Sequence, residues 1–152
     1  MFWGWLSPFP ILHIPVEAVA LPLALIGLGT SWKIGSSFYI SSLFGTAVTD
    51  ITIFLIGMMD QWRQVIIADS ETAPQILQKT SENLIQIKSL SIIVFVALIL
   101  WYISKEIFES ATINTTSGKA LLVSSYVIQT TLIVDGIFIV LAILQPTFSG
   151  LV

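Results

Sequence analysis

Hydrophobic residues gather into four long runs separated by shorter polar stretches, and the length of those runs sets the first expectation. A helix that crosses a bilayer needs about 20 mostly apolar residues. Four segments satisfy this, at about 11–29, 37–59, 90–107 and 120–144. The third is the purest, reading Ser-Ile-Ile-Val-Phe-Val-Ala-Leu-Ile-Leu-Trp-Tyr-Ile from Ser91 to Ile103. None of the runs alternates apolar with polar residues at period two, which argues against a membrane β-barrel. The pattern therefore predicts an all-α fold: one integral membrane bundle of four transmembrane helices over residues 1–152.

The connections run short, long, short. Thr30 to Gly35 joins the first pair, which makes those helices antiparallel neighbours. Ser104 to Lys119 joins the last pair, and its Thr112-Ile-Asn-Thr-Thr-Ser-Gly118 stretch reads as a turn. Between the pairs lies the 60–89 loop. Ser70, Glu71 and Thr72 ahead of Pro74 form a helix-start pattern. Ile76, Leu77, Thr80, Leu84 and Ile87 then recur at helical spacing, with Gln78, Lys79, Glu82 and Asn83 opposite. This predicts one amphipathic surface helix. Its apolar residues Ile76, Leu77 and Leu84 are candidates for docking on a partner or on the membrane; a cover over the protein's own end has equal weight.

Composition agrees with a membrane setting. Hydrophobic residues make up 55% of the chain and charged residues 10%, against about 25% charged in soluble domains. The mean hydropathy of +0.94 excludes an ordinary water-soluble domain. Net charge is −3 with no basic run, so nucleic-acid binding is not expected. With no cysteine, thiolate metal sites and cysteine nucleophiles are excluded. Trp3, Trp5, Trp32, Trp62 and the Trp101-Tyr102 pair fall near span ends, where amphipathic rings favour the interface. Lys33, Lys105 and Lys119 lie in the short loops, and Arg63, Lys79 and Lys88 in the long one. Short loops weigh more in the positive-inside bias, so both termini and the long loop are expected on the non-cytoplasmic side.

Ionisable groups within the spans are the candidate chemistry, because each costs about 2.5–3.5 kcal/mol at a helix centre. They are Glu17, Asp50 and Asp135. At about 1.5 Å per residue, all three fall in the leaflet that faces the long loop. His13, four residues before Glu17, would share its helix face. Thr46, Thr49, Thr130 and Thr131 add hydroxyls near the aspartates. The expectation is one intramembrane polar cluster of His13, Glu17, Asp50 and Asp135. It would serve either to hold helices together or to pass protons or cations. Ser41, Ser42, Gly45 and Ala47 allow close helix approach on the second span. No catalytic constellation and no metal-ligand spacing is legible, and a single histidine cannot make a metal site without further donors.

Three stretches carry a resemblance. The run Ile14-Pro15-Val16-Glu17-Ala18-Val19-Ala20-Leu21-Pro22-Leu23-Ala24-Leu25, together with Gly45-Thr46-Ala47-Val48-Thr49-Asp50 and Thr131-Leu132-Ile133-Val134-Asp135-Gly136, resembles small multi-span membrane proteins of the cyanobacterial and plastid thylakoid. The resemblance implies a thylakoid protein, an accessory subunit or assembly factor of a photosynthetic complex. It further implies photosystem subunits as partners, with chlorophyll or carotenoid at the interface with them. It transfers no catalytic residue. The expected function is thus a non-catalytic membrane subunit, and the alternative is a proton- or cation-coupled transporter using the intramembrane carboxylates.

Overall fold

The computed structural model describes residues 15–69 and 72–144. Among these residues the secondary structure is helical throughout. A 3-10 turn at Ala18–Ala20 leads into α1, Leu21–Gly27. The other helices are α2, Lys33–Leu55; α3, Met59–Ile67; α4, Ala73–Ile85; α5, Ile87–Glu109; and α6, Thr116–Leu144.

Three of these are long and apolar enough to cross a membrane: α2, α5 and α6. Ahead of them, Pro15–Gly27 forms a shorter apolar helix, about 20 Å long at 1.5 Å per residue. The expected first span began near Ile11, and residues 11–14 lie outside the described part.

Helix α6 is the centre of the bundle. It packs along α2 on one side and α5 on the other, and α2 touches α5 only slightly. The contacts Lys33–Ser117, Gly45–Thr131 and Thr49–Asp135 advance together along both helices, so α2 and α6 run parallel, while α5 runs antiparallel to α6. A hydrogen bond from Lys33 Nζ to Ser117 Oγ, 3.0 Å, ties the starts of α2 and α6 at one end of the bundle. Helices α3 and α4 sit at the other.

Several boundaries differ from the sequence reading, each for a local reason. The second span was expected to reach Met59, but α2 stops at Leu55. Gly57 takes a positive φ of 73°, a backbone state that glycine adopts at no steric cost. Around it, Met58 N donates to Ile53 O and Gly57 N donates to Phe54 O, both at 3.0 Å. These two bonds are the Schellman pattern that closes a helix C-terminus, and they reverse the chain into α3. That helix, at the start of the expected 60–89 loop, is a further difference, since its nine residues are too few for a convincing apolar period. The third span was expected at 90–107, yet α5 runs from Ile87 to Glu109. Its polar last turns, with Lys105 paired to Glu109 at 3.6 Å, keep helical geometry past the apolar stretch.

The α5–α6 turn is fixed by close approach. Thr115 Oγ1 accepts a bond from Gly118 N at 2.9 Å, an N-cap for α6. A Cβ on Gly118 would lie 1.8 Å from Thr112 O, which no side chain can survive without moving backbone. Gly118→Ala is therefore expected to destabilise the hairpin by about 1–3 kcal/mol, the usual range for overpacking. Thermal unfolding in detergent checks this; an unchanged midpoint would show that the turn relaxes freely.

Candidate functional site

The polar side chains of the spans lie mostly at helix joints. On α2, Ser37, Ser41 and Gly45 are buried and recur every four residues. That is the small-residue stripe that lets two membrane helices come close. Gly45 marks the tightest point against α6: a Cβ there would lie 2.8 Å from Thr131 Oγ1 and 3.1 Å from Thr131 Cγ2. One turn further along both helices, Thr49 Oγ1 donates to Asp135 Oδ2 at 2.6 Å. This is short even for a hydroxyl bound to a carboxyl oxygen. The same hydroxyl lies 3.1 Å from Gly45 O, so its one hydrogen is shared between a backbone and a carboxyl acceptor.

On the other side of α6 the joint is made of serines. Ser104 of α5 and Ser125 of α6 have no exposed surface. Ser125 Oγ donates to Ser104 O at 2.9 Å, and the two hydroxyls stand 3.1 Å apart. Gln129 Nε2 reaches both, at 2.9 Å to Ser104 Oγ and 3.2 Å to Ser125 Oγ. In a bilayer such bonds have few competitors, because lipid supplies no donors or acceptors. Sequence reading placed Ser104 at the start of a loop and so missed this joint. The signal that could have found it is a serine in each of two helices at matching distances from one turn.

Helix α1 reaches α2 through Gly27, whose missing Cβ makes room for Ser36. The Tyr39 hydroxyl donates to the backbone carbonyl of Glu17.

The expected four-residue polar cluster is divided. Asp50 and Asp135 stand at one level, because Gly45 faces Thr131 and Thr49 faces Asp135 along parallel helices. They lie on different faces, however. Successive residues are about 100° apart, so Asp50 is turned away from the Thr49 contact. It lies within about 20° of the direction of Tyr39. Glu17 is tied to Tyr39, about 16 Å along α2 from Asp50, and so is anchored at another level. His13 lies outside the described residues. Of the four hydroxyls expected near the aspartates, Thr49 bonds Asp135 and Thr131 packs on Gly45. Thr46 bonds back to Ser42 O at 3.2 Å, and Thr130 is exposed.

The amphipathic helix is α4, starting at Ala73 with Pro74 in its first turn. Its candidate docking residues are not all outward. Leu84 is buried, with Thr80 and Ser81 beside it, where α4 packs on α6 and α5. Ile76 is half-buried, and the side chain of Leu77 lies outside the description. Leu84 thus covers the protein's own bundle and is not available to a partner; one apolar face cannot be seated in both places.

Both aspartates are half-buried within apolar spans. Among the described residues no group of three His, Asp or Glu side chains could hold a metal ion. The arrangement can join helices, accept hydrogen bonds, and carry a proton on Asp50 or Asp135.

A family model described as "Protein of unknown function (DUF3120)" matches residues 1–143. The chain belongs to the DUF3120 family. No curated protein and no solved structure matches it. The match takes in the described helices of this DUF3120 chain, α6 up to residue 143, including both joints and both aspartates.

Proposed function

We propose that this DUF3120 protein is a non-catalytic integral membrane subunit, acting as an accessory or assembly component of a larger membrane complex. The observation that carries this reading is that the three membrane-length spans bury little of themselves within the chain. Only 11%, 17% and 11% of the apolar stretches of α2, α5 and α6 are covered by the chain. Apolar helix surface left this open by the chain itself is available for packing against the helices of a partner. The short apolar helix Pro15–Gly27 is read here as part of a fourth span. The three stretches that resemble thylakoid proteins support a photosynthetic complex as the partner, with chlorophyll or carotenoid held between them.

The test is gentle detergent extraction of the tagged chain from its native membrane, followed by a native gel and an absorption spectrum. The expected band is several-fold heavier than the 16.7 kDa chain, coloured, and contains photosystem subunits. A colourless band of the chain alone would overturn the reading.

A second reading rests on the Thr49–Asp135 bond with Asp50 at the same level. Here the two carboxyls pass protons or cations across the bundle. Under this reading Asp135→Asn abolishes ion flux in liposomes, by tenfold or more, and leaves the chain's assembly intact. Under the first reading the same change weakens association with the complex, and wild-type liposomes carry no flux to lose.

A further inference from the structure

Two polar groups at the middle of α6 are left over by the fold, and they complement each other. Gln129 carries the first. Ser125 gives its hydrogen to Ser104 O, and Ser104 gives its own to Ser125, so towards the amide both hydroxyls accept. Both N–H groups of Gln129 Nε2 are thereby used, at 2.9 and 3.2 Å. The amide is fixed with its nitrogen on the serines and Oε1 turned away from them. Oε1 has no donor among the described residues. Thr130 carries the second. Its neighbour Thr131 bonds back to Val127 O at 3.1 Å, but the exposed Thr130 hydroxyl makes no bond among the described residues. Thr130 is the central residue of α6, Thr116–Leu144, about 20 Å from either end. Lipid at that depth supplies neither donor nor acceptor.

The face between these two groups is open. Successive residues turn by about 100°, which puts Tyr126, Ile133 and Val140 in one row between the Gln129 and Thr130 directions. These three recur every seven residues and are 52–62% exposed. Gly136 lies within about 20° of Gln129 and one heptad further on. Gly27, Gly45 and Gly118 each make room for a neighbour, whereas nothing stands within 4 Å of a Cβ built on Gly136. A seven-residue row beside a glycine suits a second membrane helix packing closely and in parallel.

We propose that α6 pairs with α6 of a second copy as a parallel two-fold dimer, in which Gln129 of each chain accepts a hydrogen bond from Thr130 of the other. Copies inserted in the same orientation bring residues 129 and 130 of both chains to one depth. Two-fold symmetry makes contacts reciprocal, so an acceptor and a donor on opposite edges of one face meet twice. This self-complementarity is what selects a second copy as the occupant. A different helix would have to carry a matching donor and acceptor at the same spacing. The dimer forms with or without a larger complex, and so goes beyond the accessory-subunit reading.

The chain has no cysteine, so single cysteines report the contact in the full-length protein in native membranes. Under mild oxidation Ile133→Cys is expected to form a disulfide-linked species of twice the 16.7 kDa chain in more than half of the molecules. Phe138→Cys, turned about 140° from Ile133, is expected to form it in less than a tenth. Equal yields, or more from Phe138→Cys, would overturn the pairing. If the Ile133 species is missing while the chain migrates in a heavier native band, this face belongs to a different protein and the pairing is also overturned. Energy transfer between donor- and acceptor-labelled chains in liposomes tests the bonds themselves. Thr130→Val keeps the side-chain shape and removes the donor from both sites. It is expected to weaken association about five- to tenfold, the loss of two ordinary interhelical bonds, and to leave the unfolding midpoint of the diluted monomer unchanged. Gly136→Leu, at a position open in the single chain, is expected to weaken association more than tenfold. Unchanged association in either variant would overturn the proposal.

Discussion

Ser125→Leu is expected to separate α5 from α6 and to cost about 3–5 kcal/mol. Ser125 has no exposed surface, and its hydroxyl lies within 2.9–3.2 Å of three polar atoms on Ser104 and Gln129. A leucine adds a net two heavy atoms where the two helices are already in contact, a strain of about 1–3 kcal/mol. It also strips partners from Ser104 and Gln129, with interhelical bonds in membranes averaging about 0.6 kcal/mol each. Ser125→Ala removes only the bonds and should cost about 1–2 kcal/mol. Unfolding followed by helicity in detergent separates the two substitutions. If leucine were no worse than alanine, the α5–α6 contact would be looser than its serines indicate.

Gly45→Ala should push α2 off α6, with a loss of about 1–3 kcal/mol, and Thr131→Ala in the same chain should recover most of it. The added Cβ meets Thr131 Oγ1 at 2.8 Å and Cγ2 at 3.1 Å, while Thr131 Cβ stays at 3.3 Å. The second substitution deletes the two closest atoms and keeps the third. Residues in contact couple by about 0.5–3 kcal/mol, so the double variant is expected to be more stable than Gly45→Ala alone. Additive losses would mean that α2 shifts along α6 instead of colliding at this point. Displacing α2 also stretches the Thr49–Asp135 bond one turn away, so Gly45→Ala tests whether the carboxyl depends on the joint.

Under both proposed readings the aspartates act through this geometry. If Asp135 serves the joint alone, its replacement acts on stability and on association with a partner. If it moves protons, flux falls while the bundle stays assembled. Those outcomes separate the two readings because Thr49 can bond an asparagine oxygen as well as a carboxyl, leaving α2 and α6 together in either case.

Much of the architecture was legible in the residues. Three apolar runs of sufficient length became α2, α5 and α6, because in lipid a segment must satisfy its own backbone and a helix does so locally. Pro74 and the spacing of Ile76, Thr80 and Leu84 announced α4. Helix ends were less legible, since Gly57 and the charged last turns of α5 act through backbone geometry that hydropathy does not register.

The candidate site was only half written in the sequence. Asp50 and Asp135 announced themselves as carboxyls inside apolar spans, a property of residue type and depth alone. That Asp135 of α6 meets α2 at Thr49 while Asp50 sits on another face of α2 depends on how α2 is rotated against α6, which the contact of Gly45 with Thr131 decides. The seating of Leu84 was likewise undetermined, because an amphipathic helix buries its apolar face against whatever surface lies nearest. The Ser104–Ser125–Gln129 joint required the pairing of two helices, and no single run of residues encodes a contact between two. Composition and run length thus determined that this chain forms helices, three of them long and apolar enough to cross a membrane. Only the packing of α2 and α5 around α6 decided which polar groups meet.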